Sequence, residues 1–113
     1  MGATLFFVFL NDNISYETKD YIISTIRIHK SALCDLGINN VGLFGSYVRE
    51  EQSENSDIDI LIDFNPDKES FDNYMAVCDY LERIFKNEKV EIVTKNGLSP
   101  FIGPKILEEV IYI

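Results

Sequence analysis

Val41-Gly42-Leu43-Phe44-Gly45-Ser46, then ten residues, then Asp57-Ile58-Asp59-Ile60-Leu61-Ile62-Asp63-Phe64 is the stretch that decides how this chain folds. The first part is a short β-rich run that ends at a glycine, a pattern that predicts a strand breaking into a turn. In the second part Ile58, Ile60 and Ile62 fall on one face, and Asp57, Asp59, Leu61 and Asp63 on the other, so a strand is predicted with isoleucines inward and acids outward. Gly45-Ser46 thus joins a strand to the polar segment Ser46 to about Gln52, which reads as a brief surface helix. Ser53 to Ser56 reads as a loop.

Upstream, Ser15 to Leu36 carries Ile22, Ile26, Leu33 and Leu36 at helical spacing, which predicts one long helix capped by Ser15 and ended by Gly37. The single histidine, His29, lies on that stripe and reads as a packed residue. Asn39-Asn40 is the expected turn into the first strand. Downstream, Ser70 caps a helix in which Phe71, Tyr74, Met75, Cys78, Leu81, Ile84 and Phe85 form the inward face. Lys89 to Thr94 alternates as a strand, with Val90 and Ile92 on one face and Glu91 and Val93 on the other. Pro104 opens a terminal helix over Lys105 to about Val110.

With 113 residues, 46% hydrophobic and 26% charged, the expectation is a single soluble domain over 1–113 with one modest core. The net charge of −9 and the lack of any Lys/Arg run argue against tight binding to a nucleic-acid backbone. A basic protein partner would be attracted. Cys34 and Cys78 lie in separate helical stretches without a CxxC pair or a histidine beside them, and read as free core thiols of a reducing, cytoplasmic compartment. The apolar run Leu5 to Leu10 is too short to span a bilayer and lacks a basic leader. It allows a buried strand, a hydrophobic edge facing a partner, or a start codon set too early, so residues 1–14 are either irregular or an extra edge segment.

The chemistry follows from the spacing. Gly45 lets backbone approach a phosphate closely, and Ser46, the N–H groups after it and Arg49 one turn on can donate to that anion. Asp57 and Asp59, two apart on a strand, project to the same side at roughly 6 to 7 Å along the backbone, a separation from which both can reach one divalent cation. Glu91 faces the same way on its strand and can serve as a third metal ligand or as a base toward an acceptor hydroxyl.

The order strand, Gly45-Ser46, short helix, Asp57-x-Asp59 strand, helix, Glu91 strand resembles the DNA polymerase β-like nucleotidyltransferase superfamily, and within it the minimal nucleotidyltransferases, over about residues 15 to 113. The resemblance implies an α/β (α+β) fold, a small mixed sheet with helices packed on one face. It implies transfer of AMP from ATP with Mg²⁺, with Gly45, Ser46 and Arg49 on the triphosphate and Asp57, Asp59 and Glu91 on the metal. The superfamily often has Asp where Glu91 stands, and the Phe101-Ile102-Gly103 segment is less basic than the family's tail. The implied partner is a HEPN-type toxin modified on tyrosine, in a hetero-complex or with this chain as a homo-oligomer. Two other readings stand beside it: a non-catalytic antitoxin that neutralises by contact, and an aminoglycoside-type enzyme modifying a small molecule.

Overall fold

The computed structural model describes residues 18–113. Ser15 and the apolar run Leu5 to Leu10 therefore lie outside the described residues. The first helix, α1, spans Lys19–Ile28 and is capped by Thr18, whose side chain accepts from the Tyr21 N–H. The predicted single helix is interrupted at His29, and a second, α2, continues over Lys30–Asp35. His29 has φ −97° and ψ 9°, outside helical geometry, and its Nδ1 lies 2.7 Å from the Tyr80 hydroxyl. That side-chain bond and the edge-on stacking of the two rings hold the histidine at the break. The stripe of Ile22, Ile26 and Leu33 nevertheless stays buried across it.

Gly37, at φ 101°, ends α2 as expected. Strand β1 then begins at once, spanning Ile38–Phe44 rather than starting after Asn39-Asn40. The two asparagines sit in the strand, where the register shifts between Ile38 and Asn40. Helix α3 is a single turn, Ser46–Arg49. Strand β2 spans Ile58–Phe64, α4 spans Phe71–Ile84, and β3 spans Val90–Thr94. A 3₁₀ turn at Lys95–Gly97 leads to α5, Gly103–Glu109, with proline in its first turn. The chain does not end in that helix: a short strand β4, Ile111–Tyr112, follows it.

The four strands form one sheet in the order β3-β2-β1-β4. β1 runs antiparallel to both β2 and β4, and β2 runs parallel to β3. The main core lies on one face, where Val41, Leu43, Ile58, Ile60, Ile62 and Ile92 meet Ile22, Ile26, Leu33, Val77 and Leu81 of α1, α2 and α4. Tyr47, fully buried, fastens α3 to this core. The expected packing on one face holds for these helices. α5 departs from it, covering part of the opposite face through a smaller cluster of Phe44, Leu61 and Ile106.

Ser70 caps α4 as expected, accepting from the Asn73 N–H. Two residues assigned to its inward face are not core: Phe71 is 75% exposed and Met75 48%. They lie on the flank of the buried stripe: Tyr74, between them, packs on the main core, as do Val77 and Leu81 further along. Cys34 is likewise exposed, while Cys78 is half-buried and its thiol pKa is raised by that burial. Among the described residues no helix is long and apolar enough to cross a membrane.

Candidate active site

The register of the sheet builds the site. Phe44, the last residue of β1, is paired with Asp59 on β2, and Asp59 is paired on its other side with Glu91 on β3. The glycine turn leaving β1 therefore emerges beside Asp59. Gly45 has φ 85° and ψ −155°, a backbone state that residues with a Cβ rarely adopt, and any Cβ there would run into the Asp59 carboxylate. The turn and the carboxylate touch. Two motifs separated in sequence are one place in the fold.

Asp59 carries the electrostatic load of that place. Its pKa is pushed up to about 6, first by desolvation and then by the charges of Glu91 and Asp57, against which Arg49 acts in the opposite sense. The outward acids are thus less open than strand alternation alone implies, because α5 and its small cluster cover part of their face. Asp57 immediately precedes β2 and is half-buried, Glu91 is exposed on β3, and Asp63 at the far end of β2 is half-buried and away from the turn. β3 is an edge strand, and the Tyr74 hydroxyl of α4 donates to the Ile92 carbonyl at 2.9 Å, fixing it next to Glu91.

Three carboxylates from neighbouring strands that repel one another supply the hard oxygen donors a divalent cation takes. Among the described residues, however, no group of three or more His, Cys, Asp or Glu side chains is gathered closely enough to hold a metal as they stand. The donor type and the facing of the three acids on their strands fit a cation.

On the phosphate side, Ser46 is the first residue of α3 and Arg49 its last, both within one turn of Gly45. Arg49 is engaged: its Nε donates to Glu51 at 3.1 Å and one terminal nitrogen donates to the two oxygens of Glu109 at 2.9 and 3.2 Å. The same Glu109 accepts from the Gly45 N–H at 2.6 Å. Glu109, at the end of α5, is a site residue that sequence reading missed. Its partners lie 60 and 64 positions earlier, and its local pattern, one of two glutamates in a short helix, carries no signal.

A profile of the nucleotidyltransferase domain family matches residues 26–113. This chain belongs to the nucleotidyltransferase domain family. It is a nucleotidyltransferase, similar to the protein adenylyltransferase MntA of Thermococcus cleftensis, with 37% identity over 97 residues that cover 85% of this chain and 96% of the relative. A Methanocaldococcus jannaschii chain assigned provisionally as a protein adenylyltransferase is 38% identical over 100 residues, covering 86% of this chain and 99% of that one. A solved structure classed provisionally as a minimal nucleotidyltransferase superimposes with a TM-score of 0.73 at 26% identity, covering 85% of this chain and 96% of the other. The fold also recurs in a crystal structure of a toxin–antitoxin pair with AMP-PNP, at TM-score 0.59 and 21% identity, covering 85% of this chain and 72% of that chain. The nucleotidyltransferase superfamily resemblance and the mixed α/β fold class are both borne out.

Proposed function

We propose that this nucleotidyltransferase moves AMP from ATP to a hydroxyl of a protein partner and thereby acts as an antitoxin. The observation that carries the reading is the contact of the Gly45 turn with Asp59, which makes a phosphate cradle and a carboxylate set parts of one site. The relatives named for adenylylating proteins cover nearly their whole length with this chain, and the fold recurs in a toxin–antitoxin pair. Both support a protein acceptor over a small molecule. The partner we infer is a HEPN-type toxin, with tyrosine as the acceptor.

In this reading Gly45, Ser46 and Arg49 bind and orient the triphosphate through N–H, hydroxyl and guanidinium donors. Asp57, Asp59 and Glu91 would hold Mg²⁺, which when bound supplies positive charge against the phosphate oxygens. Glu91, more exposed than the aspartates and on the edge strand, is also placed to take the proton of an acceptor hydroxyl that approaches from outside. The nucleotidyl phosphorus is attacked by that oxygen, a new P–O bond forms, and pyrophosphate departs with the bond it breaks. Two free thiols, Cys34 exposed and Cys78 half-buried, fit a reducing, cytoplasmic setting.

The test is labelling. With ATP labelled at the α-phosphate, Mg²⁺ and the co-encoded partner protein, the wild type is expected to label the partner and Asp59→Asn to lose at least about two orders of magnitude of rate. Equal labelling by both would remove Asp59 from the site. Neutralisation of the toxin by Asp59→Asn as effective as by wild type would favour the contact-only antitoxin instead.

A further inference from the structure

Glu109 makes a contact that the transfer reaction itself does not call for. It closes a three-point clasp in which one carboxylate takes the Gly45 N–H at 2.6 Å and the Arg49 guanidinium at 2.9 and 3.2 Å. These are two of the donors at which an incoming polyphosphate would be received. To these donors a carboxylate presents what a phosphate oxygen would, an anionic acceptor that takes a backbone N–H and a guanidinium together.

We propose that Glu109 is an internal competitor for the phosphate subsite: in the free protein it occupies Gly45 and Arg49, and polyphosphate binds by displacing it. The inference rests on the reading of Gly45 and Arg49 as phosphate contacts. The fold makes displacement easy. Glu109 is the last residue of α5, the next residue already has extended backbone at φ −63° and ψ 138°, and its side chain can rotate away without unwinding the helix. α5 itself is fastened to the sheet by the small cluster around Ile106, not by the main core. The clasp holds the site closed to weakly charged anions, while a triphosphate, with several times the charge of one carboxylate, replaces it.

Inorganic tripolyphosphate is the probe, added to the full-length protein and followed through the Gly45 amide in ¹⁵N NMR spectra. Glu109→Ala is expected to bind it about tenfold tighter than wild type, the worth of one lost charge-assisted competitor, and Glu109→Gln to fall between them. Before any ligand is added, the Gly45 amide proton of the wild type should lie downfield and move upfield in Glu109→Ala. Equal or weaker binding by both variants, no binding by either, or an unmoved Gly45 amide would overturn the proposal. Glu109→Gln, of unchanged size, keeps the comparison valid if the alanine variant folds poorly. Because tripolyphosphate carries no nucleotidyl group, this outcome is independent of whether the chain transfers AMP, which the labelling assay decides on its own.

Discussion

Asp59 is central because three elements meet on it: β1 ends beside it, β3 pairs with it, and the Gly45 turn presses on its carboxylate. Its pKa of about 6 against an ordinary 3.8 means that the folded protein holds this proton more tightly than the unfolded chain. The resulting stabilisation is complete below pH about 4 and is lost as pH rises through about 6. Asp59→Asn, which abolishes the charge, should therefore stabilise the metal-free protein above pH 6 by about 1 kcal/mol, a figure discounted for the solvent that still reaches a half-buried group. Thermal melts from pH 3.5 to 8 check it: the gap between variant and wild type should open over that range and vanish at its acid end. Mg²⁺ should raise the wild-type midpoint at pH 8 and leave that of Asp59→Asn nearly unmoved. Gly45→Ala is expected to cost about 1 to 3 kcal/mol by urea unfolding, since the new methyl meets Asp59 and the backbone stays at a positive φ.

Among the elements, α4 and α5 contrast most sharply. α4 is long, capped by Ser70, and buries Val77 and Leu81 in the main core. α5, of 7 residues, is about two turns long and rests on Phe44 and Leu61 through Ile106. Leu81→Ala should lower global stability by about 2 to 5 kcal/mol, whereas Ile106→Ala should cost about 2 kcal/mol and act locally. Hydrogen exchange separates the two: in Ile106→Ala the amides of α5 and β4 should exchange faster while those of α4 keep their protection. Uniform acceleration across both helices would show that the two clusters unfold as one. The break between α1 and α2 has a similarly local cause. His29 finds the Tyr80 hydroxyl on another element, and that long-range bond overrides a periodicity that continues straight through it.

For the whole molecule, 19 acidic residues against 10 basic ones leave a net charge of −9. The ion pairs described, such as Lys19–Glu50 and Arg83–Asp79, are largely exposed and worth little each. Self-repulsion should therefore dominate, and raising NaCl from about 10 to about 150 mM, which shortens the screening length from about 30 to about 8 Å, should raise the melting temperature. A fall would show that attractive pairs outweigh it. The same charge sets the reach of the site: an anionic substrate must enter a negative protein, so the positive and N–H donors beside Gly45 are held where they can be met at short range.

Legible in the sequence were β2, β3, the second half of β1, the capped helix α4, and a glycine turn followed by an acid-bearing strand, because alternation and caps are local and leave their mark within a few residues. Val41 to Phe44, Asp57 to Phe64 and Ser70 to Phe85 could be read this way. Exposure along α4 could not, because Phe71 and Met75 keep the helical period but lie on the flank of the stripe that Tyr74, Val77 and Leu81 turn to the sheet. Nor could β4, two residues long and strand only because β1 offers an open edge to Ile111 and Tyr112. Tertiary structure alone decided that Phe44, Asp59 and Glu91 lie side by side, that α5 covers the acidic face, and that Glu109 reaches back to Gly45 and Arg49. Each depends on strand register or on a contact between distant positions, and neither has a periodicity that a linear reading can detect.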